Sequence, residues 1–97
     1  METINKGTKE VLFFNLDDRL NQITDLAPYT VEYRVTDEEE SELVAWSVVE
    51  DVNLMRVDVL LDTTPAGFVD GMTLKIYIRP NIPPEAPILG PFEVGLS

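Results

Sequence analysis

Four segments of this chain alternate between apolar and polar residues, and that period of two constrains the fold more than any other feature. From Tyr29, the apolar residues Tyr29, Val31, Tyr33 and Val35 are separated by Thr30, Glu32, Arg34 and Thr36. From Met55 the apolar set is Met55, Val57, Val59 and Leu61, interleaved with Arg56, Asp58 and Leu60. Met72, Leu74, Ile76 and Ile78 alternate with Thr73, Lys75, Tyr77 and Arg79, and Phe92, Val94 and Leu96 close the chain in the same manner. In an extended strand successive side chains point to opposite faces, so each segment has one face for a core and one for water. Such two-faced strands belong to antiparallel sheets with one solvated side.

Two further segments read as strands with less regular faces. Glu10 to Leu16 ("EVLFFNL") is apolar on both sides, which fits either burial between neighbours or a sheet edge. Leu43 to Val49 ("LVAWSVV") puts Val44, Trp46 and Val48 on one face and Leu43, Ala45 and Val49 on the other. Between residues 18 and 26, Leu20, Ile23 and Leu26 are spaced for a short helical turn capped by Asp17 or Asp18. A loop followed by a short strand around Ile23 is the equal alternative. Turn residues punctuate the rest: Ala27-Pro28, the polar tip Glu50-Asp51-Val52-Asn53, and Asp70-Gly71. Five of the seven prolines lie between Pro80 and Pro91. Proline has no N–H to give a ladder, so this stretch is expected to be a stiff, polyproline-like crossover into the last strand.

About six to seven short strands in 97 residues predict one domain, residues 1–97, with an all-β fold. The expected architecture is a single antiparallel β-sandwich of immunoglobulin-like type, with a small barrel as the alternative. Trp46, on a middle strand, is the expected core anchor, able to bury up to ~250 Å².

Composition narrows function by exclusion. Asp and Glu number 18 against 7 Lys and Arg, a formal charge of -11. Such a surface repels nucleic acid and anionic membranes. The chain has no cysteine, hence no disulfide, thiol nucleophile or thiolate metal site, and no histidine, the usual general base and transition-metal ligand. No segment approaches the roughly 18 consecutive apolar residues of a membrane span. The N-terminus lacks the basic and apolar regions of a signal peptide, so a complete product made in the cytoplasm is expected.

The candidate constellations are weak as chemistry. Asp37, Glu38, Glu39, Glu40 and Glu42 are five carboxylates in six residues, but they sit between two strands and read as a solvated hairpin tip. Consecutive acids without a central glycine do not follow the alternating order of a calcium loop. Asp17, Asp18 and Asp25, or Asp51 with Asp58, could form carboxylate pairs, yet no base or nucleophile joins them; Ser41, Ser47 and Ser97 have nothing to activate them. "AGFVDG" has too few glycines for a phosphate loop. The expectation is no enzyme, no cofactor and no metal. Leu60, Phe68, Tyr77, Ile82 and Ile88 fall on outward faces or in loops. Of these, Phe68, Tyr77, Ile82 and Ile88, with Pro83 and Pro84, are the candidate contacts for a protein partner.

The stretch "DGMTLKIYIRPNIPPEAPILGPFEVGL" resembles the end of small immunoglobulin-like accessory proteins from the virions of tailed bacteriophages. There too a strand is followed by a proline-containing loop and an "LGPF" turn. "KGTKEVLFFNLDDRLNQITDL" followed by "VEYRVTD" is similar to the same domains and, more distantly, to the N-terminal domain of phage baseplate upper proteins. The resemblance implies a non-enzymatic virion component made in the host cytoplasm. It would be a head-decoration protein on the outer capsid or a neck or tail accessory. Its partners would be major capsid or tail proteins, or further copies of itself. The alternative from charge alone is an acidic mimic of nucleic acid that binds a host DNA-binding protein.

Overall fold

The computed structural model describes residues 2–17, 20 and 23–97. Eight strands follow one another: β1 (Glu2–Ile4), β2 (Lys9–Asn15), β3 (Val31–Thr36), β4 (Glu42–Val48), β5 (Asp51–Asn53), β6 (Arg56–Asp62), β7 (Thr73–Pro80) and β8 (Leu89–Leu96). They form a five-stranded sheet in the order β1-β8-β7-β3-β4 and a three-stranded sheet in the order β2-β6-β5. No helix occurs among the described residues. The expected helical turn near 18–26 lies partly outside the described residues; those of its residues that are described are irregular, with Leu26 buried and its N–H bonded to the Leu54 carbonyl.

The alternating segments behave as their pattern dictates. Val31 and Val35, Val57, Val59 and Leu61, Leu74, Ile76 and Ile78, and Val94 and Leu96 all face the core between the two sheets. Burying an aliphatic side chain of this size stabilises by about 1.5–3 kcal/mol before entropy is counted. β2 resolves its ambiguity as a sheet edge. Leu12, Phe14 and Leu16 point inward, with the Phe14 ring 4.9 Å from that of Phe92, while Val11 and Phe13 point out.

Four expectations need correction. Trp46 is not the core anchor: it shares the outward face of β4 with Val48, because Glu32 and Val48 are direct cross-strand partners and Glu32 faces water. The segment 50–53 is not a hairpin tip: Asp51–Asn53 is a strand that pairs with β6 in the second sheet, and the turn falls at Leu54 and Met55. The sheets are not wholly antiparallel, since β1 runs parallel to β8. The last strand starts at Leu89, and takes in Pro91, which lies before the stretch, Val94 to Leu96, where β1 pairs; no neighbour there requires its missing N–H.

The step from β1 to β2 carries the chain from one sheet to the other. It is held by Thr63, one of two buried polar residues among the described residues. The Thr63 hydroxyl accepts from the N–H groups of Gly7 (2.9 Å) and Thr8 (3.3 Å) and lies 3.2 Å from the carbonyls of Asn5 and Thr8, to one of which it donates. Gly7 has φ +81°, where a side chain would be strained.

Candidate interaction surface

The residues singled out from sequence scatter over three environments. Phe68 belongs to the core, at 2% exposure; it is not a contact residue. Its N–H bonds the Pro65 carbonyl at 3.1 Å, and the turn folds so closely over β4 that a Cβ on Gly67 would stand 3.1 Å from Leu43. Asp70-Gly71 ends this loop as expected, with Gly71 at φ +88°. Loop 64–72 thus closes one end of the sandwich with an aromatic plug.

Tyr77 lies on the outer face of the five-stranded sheet. Its hydroxyl is 2.8 Å from both oxygens of the Glu40 carboxylate, which also takes the Lys75 ammonium at 3.2 Å. Glu40 reaches them because its backbone turns to φ +65° at the hairpin tip and sends the side chain back over the sheet. The acidic run is therefore more than a solvated tip. Asp37 Oδ1 accepts from the N–H groups of Glu39 (2.8 Å) and Ser41 (2.9 Å), and Glu42 pairs with Arg34 at 2.8 Å. Only Glu38 and Glu39 leave their carboxylates without such a role in the described contacts.

The Tyr77 hydroxyl, and secondarily Lys75, hold the Glu40 carboxyl below the usual carboxylate range. In return Glu40 raises the Tyr77 phenol and the Lys75 ammonium. The lowered carboxyl contributes above its ordinary pKa and loses that contribution as pH falls through its folded value. The raised phenol and ammonium contribute below their ordinary values and lose it as pH rises through their folded ones. Tyr77→Phe is expected to bring the Glu40 titration, followed by carboxyl-carbon NMR, up toward the ordinary range with little change in melting temperature. An unmoved Glu40 would show that the hydroxyl does not reach it in solution.

The same outer face carries further paired charges. Arg79 lies 2.9 Å from Glu32 and stacks its guanidinium 4.0 Å from the centre of the Trp46 ring. This cation–π contact explains why a tryptophan tolerates a solvated sheet face. The proline-rich segment borders it: Thr30, Glu32, Arg79, Asn81, Ala86 and Ile88 line a shallow open cleft. Asn81 anchors the segment through an N–H bond to the Thr30 carbonyl (2.8 Å), and Ile82 is half-buried against the core. Pro83, Pro84 and Ile88 are exposed, with cis bonds at Pro83-Pro84 and Gly90-Pro91. The chain therefore brings Ile82, Pro83, Pro84 and Ile88 into one loop and leaves Tyr77 apart, among charges.

The three-stranded sheet presents a different outer face. Val11 and Leu60 are direct cross-strand partners, and Phe13 is the next outward residue along β2; they are 47%, 57% and 61% exposed. Val48 on β4 lies beside them across a cleft that Tyr33, Glu50, Asp51 and Asp58 also line. Asp51 and Asp58 oppose each other across β5 and β6, and Arg56, two residues before Asp58 on β6, pairs with Asp58 at 3.0 Å. Arg56 also lies 5.2 Å from the centre of the Phe13 ring. Of the other carboxylates considered for catalysis, Asp25 accepts the Ala27 N–H at 2.9 Å and caps a turn, while Asp18 lies outside the described residues. Leu60 was legible as outward from its place in the alternation. Val11 and Phe13 were concealed by the apolar run of β2, whose only signal was that both faces are apolar. No known protein family, curated protein or solved structure matches this chain.

Proposed function

We propose that this chain is a non-enzymatic structural module of a tailed-phage virion: an immunoglobulin-like sandwich that decorates the outer capsid or serves as a neck or tail accessory by binding other virion proteins. The strand order supports the immunoglobulin-like reading. β2, β6 and β5 take the places of strands B, E and D, and β8, β7, β3 and β4 those of G, F, C and C′, with β1 beside G. The observation that carries the binding role is the exposed apolar stripe of Val11, Phe13 and Leu60 on a chain of charge -11. Contiguous apolar surface of this kind serves protein contacts. The loop with Pro83, Pro84 and Ile88 offers a second, stiff contact whose ordering entropy is already spent. The broad sheet supports a mimic of nucleic acid less well, because Glu32, Glu40 and Glu42 are each tied to Arg79, Lys75 or Arg34.

The test is co-sedimentation with purified capsids and with tails of the phage that encodes the protein. Binding at a fixed stoichiometry to one of them is expected, lost in Leu60→Asp or Ile88→Asp, both of which alter exposed side chains and leave the core intact. A protein that ignores both particles yet captures a DNA-binding protein in a salt-sensitive manner would replace this reading with the mimic.

A further inference from the structure

Each sheet has two edges, and three of the four are guarded. β1 and β5 are only three residues long, and the β3–β4 ladder shifts register twice along the inner side of β4. Short strands and irregular pairing are the usual means of blunting an edge. β2 has neither. It is seven residues long, pairs with β6 in unbroken register from Lys9↔Asp62 to Asn15↔Arg56, and contains no proline.

The bonds flanking that ladder fix which backbone groups remain open. Thr63 donates to the Thr8 carbonyl at 3.0 Å, and Leu16 donates to the Met55 carbonyl at 2.9 Å. Hydrogen-bonded pairs in an antiparallel ladder recur at every second residue. The even-numbered residues of β2 therefore bond to β6, and Lys9, Val11, Phe13 and Asn15 turn their N–H and C=O groups to the free side. Among the described residues none of these groups has a partner beyond the ladder. The two open positions at the middle of the strand are also the two exposed apolar side chains.

We infer that β2 pairs with β2 of a second copy, antiparallel about a two-fold axis at Leu12, joining two three-stranded sheets into one of six strands. The sequence of the edge is suited to its own image. In this register Val11 faces the second copy's Phe13 and Lys9 faces its Asn15, so aromatic meets β-branched side chain and no like charges meet. Within a chain of charge -11, Lys9 to Leu16 holds one Lys and one Glu and is locally neutral. A basic partner strand would find no charge there to read, whereas a second copy finds none to repel it. Edge pairing of two short strands covers less than the roughly 1,600 Å² of a standard interface, so a dissociation constant on the order of micromolar is expected.

Light scattering across low to high micromolar concentrations, combined with amide hydrogen exchange, tests this. The mass is expected to rise from 10.9 kDa toward twice that value. In the concentrated sample the amides of Val11 and Phe13 gain protection, while those of Leu12 and Phe14 are protected at every concentration. Val11→Pro removes an N–H that takes no part in the intrachain ladder, and is expected to weaken the dimer at least ~10-fold with the fold retained. Phe13→Lys, which alters only an exposed side chain and sets a cation near the second copy's Lys9, is expected to do the same. Three results would overturn the inference: a monomer at all concentrations, a dimer indifferent to both variants, or protection of Val11 and Phe13 only when another virion protein is added. The last would assign the edge to a foreign strand.

Discussion

Phe68→Ala is expected to destabilise the fold by about 3–5 kcal/mol, the range for truncating a buried aromatic side chain. For a domain of this size each kcal/mol corresponds to roughly 4–8 °C, so the melting temperature should fall by at least ~12 °C. The reason lies in the position of Phe68, not in its hydrophobicity alone. It is the plug of loop 64–72, at 2% exposure, and its loop is pinned against Leu43 with little room to collapse into the void. Trp46 supplies the contrast. It is the larger residue, but it lies half-exposed beneath Arg79, and Trp46→Ala is expected to cost about 1 kcal/mol through lost packing and one cation–π contact. Urea denaturation of the two variants decides between them. Equal losses would return Trp46 to the role of anchor.

The second large effect concerns a single backbone position. Gly90 has φ +111°, a region that only glycine occupies without strain, and a Cβ there would stand 2.7 Å from the Ile76 carbonyl oxygen and 3.0 Å from the Phe92 nitrogen. Both obstacles are backbone, so no side chain can swing away. The conformation is imposed by the ladder: β8 advances three residues from Leu89 to Phe92 while β7 advances two from Ile78 to Ile76. The extra residue is taken up as a bulge at Gly90-Pro91. Gly90→Ala combines backbone strain with a clash and is expected to cost roughly 3 kcal/mol or more. Thermal unfolding of this variant beside Gly67→Ala, whose neighbour is the far end of the Leu43 side chain, checks the claim. If the two lose the same amount, the bulge does not depend on glycine.

Much of the core was legible because period two is a local property. Val57, Val59 and Leu61, or Leu74, Ile76 and Ile78, declare their inner face by spacing alone, whatever sheet they join. Apart from segment 50–53, which pairs with nearby β6, the main failures involve partners distant in sequence. Trp46 looked like an anchor by size, and only the register of Glu32 against Val48 shows that its face is the wet one. Phe68 looked exposed because it lies in a loop, and nothing in "PAGFVDG" states that the loop folds inward over β4. Phe13 sits beside Phe14 in a run that betrays no face, so the exposed stripe emerged only with the edge position of β2. Glu40 was indistinguishable from its acidic neighbours until the positive φ at that residue sent its carboxylate to Tyr77. Function was less legible than fold for a related reason: without histidine, cysteine or a phosphate loop, its signal lies in surface shape, and surface shape is set by tertiary pairing.

The place of β8 bears on how the protein is made. The last of these strands to leave the ribosome is inserted between the first and the seventh. Until residue 96 has emerged, β1 has no neighbour, and β7 presents an unpaired edge bearing Leu74, Ile76 and Ile78. The five-stranded sheet can therefore be completed only after its whole sequence has been synthesised, and the nascent chain must carry an apolar edge through that interval. A high negative charge, which keeps neighbouring nascent chains apart, suits a protein that has to wait for its final strand.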